Sequence, residues 1–425
     1  MPTLSKAYIV EKWKHAGFQR YLKNTGWMFF GQMSLIISLA INLWIARYLG
    51  PQGFGVLSYV IAFAGLFSFV ANLGLNDVLV RFLVEHPQDK DRALGTGARL
   101  LFFGGLCAFA LAAVCGFVFE PKMAWFIVLY ATIFIFSPFN VISAYFQSVV
   151  EAKKNALAQI IGTVIVSCVK VYCIVSGAGI IWFVGSFTLD YLVGAMLYII
   201  NYERSKLGWR FLSHWDGRIA RELSRGSILL MLSAAASYIY LKLDQVMVKS
   251  YLDETAVGIY AVAVKLSEIW YFIPGIVCAS LFPAIINAKN TNREVYLARL
   301  KKLYVLLGGS AFLVALPIVI FASHIITLLY GAQYIQSVPV LQIYVWSGIG
   351  FFLSTGITRY FMAEDRFGTI LAYNIVSVLM NVALNMILLP TIGLTGAAWA
   401  TLVSYSIMPI GASLTHIMRL YKKHV

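Results

Sequence analysis

Apolar runs of about 20 residues recur along the whole chain, separated by short polar and basic connections. As an α-helix, each run is long enough to cross a hydrocarbon core of roughly 30 Å. Inside lipid every backbone polar group must find a partner within the protein, so only helices or a closed barrel can span. The runs are continuous rather than alternating, which selects helices over barrel strands. Hydrophobic residues make up 60% of the 425 and charged residues 12%. Soluble domains carry about a quarter charged residues, so lipid must be the solvent for much of this surface. The expected fold class is all-α integral membrane with about twelve transmembrane helices.

Spans are expected near 25–47, 56–83, 98–119, 123–150, 155–176, 179–201, 227–251, 256–287, 301–322, 334–360, 368–389 and 393–418. Pro138, Pro274 and Pro283 fall inside them as candidate kinks. Lysine and arginine concentrate in alternate connections and at both ends, as in Arg81 to Arg99, Arg204 to Arg225 and Lys289 to Lys302. The opposite side receives Arg47, Lys122 and Lys249. Basic residues in short loops favour the cytoplasmic side, so both termini are expected in the cytoplasm. The formal net charge of +15 is thereby explained by topology, and nucleic acid is not an expected partner. No cleavable signal peptide is expected in the basic, mixed N-terminal stretch. Lys6 to Lys23 reads as a short amphipathic helix in the membrane interface, with a plain basic tail as the alternative.

The longest connection divides the chain. Residues 1–24 form the cytoplasmic N-terminal segment, 25–201 an N-lobe, 202–226 a cytoplasmic linker and 227–425 a C-lobe. A shift of 203 residues aligns the span pattern of the two halves through three spans. It matches Tyr48 with Tyr251, Gly55 with Gly258 and Phe69 with Phe272. Six spans per half give parallel repeats, and hence two six-helix lobes around a central cavity. That is a transporter architecture, although a fold does not fix a cargo.

Ionisable residues inside spans are expensive and normally face protein or water, so each is a candidate for function. Asp77 and Arg81 lie at i, i+4 near the cytoplasmic end of the second span, spacing that allows a local ion pair. Lys170 and Asp190 fall at neighbouring depths in the fifth and sixth spans, either as a structural pair or as a substrate contact. The strongest cluster comprises Lys242 and Asp244 in the seventh span with Lys265 and Glu268 in the eighth. Counting from the external turn places all four roughly 10–18 Å below that surface. Lys242 and Asp244 are about 200° apart on a helix and cannot point the same way. The corresponding first-half positions, Leu39, Ile41, Ala62 and Gly65, carry no charge. A lysine ammonium in a water-accessible, low-dielectric cavity is a point-charge partner for phosphate oxygens. Carboxylates at that depth either bind a coupling proton or sodium ion or only hold the lysines in place.

No phosphate-binding glycine loop, HExxH or GxSxG is present, and the six histidines are scattered. Neither an enzyme nor a cofactor is expected. Cys107, Cys115, Cys168, Cys173 and Cys278 all lie in apolar runs without paired spacing, so neither disulfides nor a metal site is expected.

Several segments carry a resemblance. The first span opens with Asn24-Thr-Gly-Trp-Met-Phe-Phe-Gly-Gln32 and closes with Ile45-Ala-Arg-Tyr-Leu-Gly-Pro-Gln-Gly-Phe-Gly55. Asn72-Leu-Gly-Leu75 follows in the second. The second half holds Leu243-Asp-Gln-Val-Met-Val, then Thr255 to Glu268, then Leu281-Phe-Pro-Ala-Ile285. In this order they resemble the oligosaccharide flippases of the polysaccharide transporter family, O-antigen type, whose fold is shared with multidrug and toxin extrusion transporters. The resemblance implies a bacterial inner-membrane protein of lipopolysaccharide or other polysaccharide biosynthesis. Its implied cargo is undecaprenyl-pyrophosphate-linked oligosaccharide, moved from the cytoplasmic to the periplasmic leaflet by alternating access. Membrane lipid and other polysaccharide-assembly membrane proteins are the further implied partners. Lys242, Lys265, Lys170 and Arg47 are the residues able to supply positive charge to a cationic cavity. Asp77, Arg81, Asp190, Asp244 and Glu268 form the candidate coupling or charge network. The competing reading is a cation-coupled multidrug exporter of the same fold.

Overall fold

The computed structural model describes residues 26–27, 30–31, 33–205, 208–364 and 366–421. The expected interfacial segment at 1–24 lies outside the described residues, as do Asn24, Gln32 and the basic end at Lys422 and Lys423. Among the described residues all regular structure is helical. By length and composition, nine helical segments among them are able to cross a membrane.

The first long helix, α1 (Met33–Gly65), holds the end of the first expected span and the start of the second. It is broken at Gly50, whose φ of 68° with ψ of 177° is open to glycine and to few other residues. The second span does not run on unbroken to residue 83. It continues as α2 (Ser68–Asn72) and α3 (Leu75–Glu85), separated by a left-handed turn at Leu73 and Gly74. Next come α4 (Lys90–Phe119), α5 (Ala124–Ala131) and α6 (Asn140–Ser148). A 3-10 stretch at Thr132–Phe139, containing Pro138, links α5 to α6. The half closes with α7 (Ala152–Val175) and α8 (Ile180–Arg204).

α9 (Gly217–Tyr251) starts well inside the segment expected to be a linker. It is followed by α10 (Glu254–Glu268) and α11 (Ile273–Thr291), with Pro274 in the first turn of α11, where its missing N–H costs no helical bond. The remaining elements are α12 (Arg293–Ile320), α13 (Ala322–Leu329), α14 (Ser337–Tyr344), α15 (Ser347–Ala363), α16 (Phe367–Ile392) and α17 (Leu394–Tyr421). Each of the twelve expected spans thus has a helical counterpart.

The chain forms two compact units. The first takes the described residues up to Ile45 together with Phe67–Met231; the second takes Ala46–Leu66 and the chain from Leu232 onward. In the first unit, Leu75, Leu79, Phe82 and Leu83 of α3 pack against Leu94 and Leu101 of α4 and Val141 and Phe146 of α6. In the second unit, α10 is enclosed along its middle: every residue from Val257 to Val264 is buried. A helix apolar on all sides belongs at the centre of its unit, not at a water-facing surface. That placement carries the polar side chains of α10 into the interior. Val305 and Leu313 of α12 and Leu379 and Ile387 of α16 stay exposed, as lipid-facing positions do.

Candidate functional site

The interior of the second unit holds a carboxylate. Asp244 of α9 is only 3% exposed. Its Oδ1 accepts a hydrogen bond from Asn385 Nδ2 at 2.8 Å. Its Oδ2 accepts from Tyr260 Oη at 3.0 Å and from the Thr401 hydroxyl. Asn385 Nδ2 also donates to Asn381 O at 3.0 Å and to Asn381 Oδ1 at 3.2 Å. Helices α9, α10, α16 and α17 therefore meet at one carboxyl group, and its partners among the described residues are all neutral. A charge removed from water normally needs an opposite charge or full hydrogen bonding. Here only the second is supplied. Asn385 Oδ1 is buried without a hydrogen-bond partner among the described residues. A carboxylate, two amides and two hydroxyls are oxygen-rich ligands, suited to a hard cation or to a proton on the carboxylate. Among the described residues no group of three or more His, Cys, Asp or Glu is arranged to hold a metal ion.

Lys242 points elsewhere, as its angular separation from Asp244 requires. Its Nζ lies 3.8 Å from Glu268 Oε2. Glu268 Oε1 accepts a 2.9 Å hydrogen bond from Tyr344 Oη. The Tyr344 ring meets that of Tyr260 edge to face at 6.0 Å, joining this group to the Asp244 network. Lys265 Nζ sits 4.6 Å from the centre of the Phe54 ring, where the face of the ring attracts a cation. Lys242 and Lys265 are both half-buried. Arg47 is at the turn after the first span. It donates to the Leu328 carbonyl at the end of α13, the negative end of a helix. Gln333 Nε2 in turn donates to Arg47 O at 3.2 Å.

The first unit brings Lys170 of α7 and Asp190 of α8 together at 2.7 Å. The Lys170 side chain is 5% exposed and lies 3.9 Å from the Phe187 ring centre. Arg81 does not pair with Asp77. Its Nε meets Glu85 Oε1 at 2.8 Å, one turn further along α3, in an exposed i, i+4 pair. Asp77 instead lines an open cavity with Asn76 and Asn140.

Inspection of charge alone passes over the neutral half of the site: Tyr260, Asn381, Asn385 and Thr401. A signal for it exists. Asn374, Ser377, Asn381 and Asn385 recur at three- and four-residue spacing within an apolar span and are all buried. Amides on one stripe of a lipid-embedded helix need partners as charges do.

A family model described as Polysaccharide biosynthesis protein matches residues 21–289, more than half of the chain. The chain belongs to this family. A curated relative, the probable low-salt glycan biosynthesis flippase Agl15 of Haloferax volcanii, is 24% identical over 195 residues. That match covers 44% of this chain and 40% of the relative, so the chain spans about two fifths of the relative's length. Among solved structures, an inward-facing multidrug resistance MATE family transporter of the MOP superfamily aligns with a TM-score of 0.73 at 16% identity. It covers 94% of this chain and 98% of that one. The lipid II flippase MurJ in an inward closed conformation aligns with a TM-score of 0.70 at 14% identity, covering 91% and 86%. At these identities the two structures establish a shared fold. The chain is accordingly a multi-pass, all-helical membrane protein of the polysaccharide biosynthesis family.

Proposed function

We propose that this protein carries lipid-linked oligosaccharides across a membrane by alternating access, driven by a cation that loads at Asp244. The observation that carries the reading is the buried Asp244 carboxylate, held by neutral donors from three other helices. A proton or sodium ion arriving there changes the net charge of the unit's interior. It thereby biases how α9, α10, α16 and α17 pack, which is the way a bound ion shifts a conformational equilibrium. None of its described partners balances the charge of that carboxylate, a cost that a bound cation removes. Family membership supports glycan cargo, as does the likeness to a probable glycan flippase.

Lys242 and Lys265 are half-buried cations of the second unit beside the Asp244 network, and they take the phosphate groups of the cargo. Lys170 and Arg47 are the further candidates, each engaged with protein groups. Undecaprenyl pyrophosphate is the proposed lipid, the bacterial cytoplasmic membrane the proposed location, and cytoplasm to periplasm the proposed direction. Other polysaccharide-assembly membrane proteins are proposed partners.

The test is deletion of the gene followed by analysis of lipid-linked sugars. The expected result is accumulation of undecaprenyl-linked repeat units on the cytoplasmic face. Unchanged glycans together with altered dye efflux would replace this reading with a cation-coupled drug exporter.

A further inference from the structure

The first unit contains a second polar feature, unrelated to its ion pair. Between α2 and α3 two consecutive residues are left-handed: Leu73 at φ 51° and Gly74 at φ 59°. Glycine adopts that conformation without penalty, whereas leucine is sterically disfavoured there. A break of this kind frees carbonyls at the end of α2 and N–H groups at the start of α3. Within a membrane, unpaired backbone is tolerated only against protein or a water-filled space. A cavity of about 370 Å³ opens at this break, lined by Asn72, Asn76, Asp77, Asn140, Ser143 and Gln147 around a floor of leucine and valine.

The polar lining comes from two helices. Asn140, Ser143 and Gln147 share one face of α6 at i, i+3 and i+7. Asn72, Asn76 and Asp77 approach from either side of the break. All of them except Ser143 are exposed. Asn76, Asp77, Asn140 and Gln147 make no side-chain hydrogen bond or ion pair among the described residues. Exposed amides and a carboxylate within spans, Asp77 and Gln147 toward their cytoplasmic ends, are not compatible with acyl chains, so this face meets water or a polar ligand.

The lining selects the ligand. Amides donate and accept, a carboxylate accepts, and vicinal sugar hydroxyls do both. The Leu75, Leu79, Leu101 and Val141 floor suits the C–H face of a pyranose ring. Among the described residues no cation lines the cavity, which disfavours phosphate, and Asp77 repels anionic sugars. The volume falls in the range of about 300–1,000 Å³ typical of small-ligand sites. We infer that this cavity is the glycan subsite, taking neutral sugar rings of the cargo by their hydroxyl groups. The inference rests on the transport reading above and adds to it a binding place for the sugar, apart from the lysines assigned to phosphate.

The experiment complements a deletion strain with wild type and with Asn76→Ala/Asn140→Ala, and follows lipid-linked glycan and exported polysaccharide. Loss of two or more hydrogen bonds to the cargo is expected to lower export about tenfold or more at equal membrane abundance. Full export by the double variant overturns the subsite and leaves the flippase reading intact. Failure of the deletion strain itself to accumulate lipid-linked glycan overturns both. A second measurement separates binding from folding. Asn140→Cys in the full chain is labelled with a maleimide in membranes, against the parent chain as background. Lipid-linked glycan extracted from the deletion strain is expected to slow labelling severalfold, and undecaprenyl pyrophosphate without sugar to leave it unchanged. Equal protection by both probes, or by neither, overturns the assignment.

Discussion

Gly55 and Gly258 face each other across a backbone-to-backbone crossing in the second unit. A Cβ placed on Gly55 would land on the Glu254 carbonyl, and one placed on Gly258 would land on the Pro51 carbonyl. Pro51 and Gly55 become positions 254 and 258 under the 203-residue shift between the two halves of the sequence. The contact is therefore reciprocal, like an isologous contact between two copies of one segment. Small residues at such crossings let transmembrane helices approach closely.

Leucine at either glycine is expected to force the crossing apart. Overpacking of this kind costs roughly 1–3 kcal/mol, more where backbone is the obstacle. Gly55→Leu and Gly258→Leu should lower the melting temperature of the detergent-purified protein by similar amounts. Their effects should not add, because both disrupt one contact. Additive losses would show the two positions to be independent.

Asp244→Asn keeps the shape and most hydrogen bonds of the buried carboxyl group while removing its charge. Transport of lipid-linked glycan in proteoliposomes is expected to become insensitive to an imposed proton or sodium gradient, with the protein still folded. Asp244→Ala strands Tyr260, Thr401 and Asn385, and each buried polar group left unpaired costs about 1–3 kcal/mol. The alanine variant should therefore be the less stable of the two. Retained gradient dependence in Asp244→Asn would remove Asp244 from coupling.

Lys242→Ala and Lys265→Ala are expected to abolish transport while leaving membrane abundance near normal. Normal surface polysaccharide in a strain carrying both substitutions would reject their assignment to phosphate. Glu268→Gln, which keeps an acceptor for Tyr344 but releases Lys242 from its ion pair, should change the apparent affinity for cargo more than the melting temperature.

The Lys170–Asp190 pair, with the lysine buried and the aspartate half-buried, is expected to brace α7 against α8. Removing one partner strands the other, at a cost of about 3–5 kcal/mol for a buried pair. Asp190→Ala should accordingly deplete the protein from membranes, and Lys170→Met/Asp190→Leu should restore both abundance and transport. Restored abundance with transport still lost would make Lys170 a cargo contact.

Asp216 precedes α9 in the loop outside the spans. Its Oδ1 accepts from the backbone N–H groups of Arg218 at 2.8 Å and Ile219 at 3.4 Å, an N-cap. Those bonds, led by that from Arg218, hold the carboxyl below its ordinary range. Its folded value lies below its unfolded one, so the cap stabilises above the unfolded value and is lost as pH falls through the folded one. The protection factor of the amides at the start of α9, their exchange rate relative to an unfolded peptide at the same pH, should fall between about pH 5 and pH 2 in the wild type. In Asp216→Ala it should be low at both, and equal protection in the two proteins would dismiss the cap.

Composition and run length determined the fold class, because continuous apolar runs of this length can satisfy their backbone in lipid only as helices, a barrel strand being shorter and alternating. Sequence spacing also brought out the equivalence of Gly55 and Gly258, and the angular reason why Lys242 and Asp244 part company. The tertiary structure decided partnership. Arg81 pairs with Glu85 and not with Asp77, although both lie one turn away on α3, so local spacing alone could not choose between them. Asn385, Thr401 and Tyr260 reach Asp244 from spans up to 157 residues away along the chain, and no local pattern encodes that convergence. The break at Leu73 was likewise invisible: a leucine in a left-handed turn is held there by its surroundings, not by its own preference.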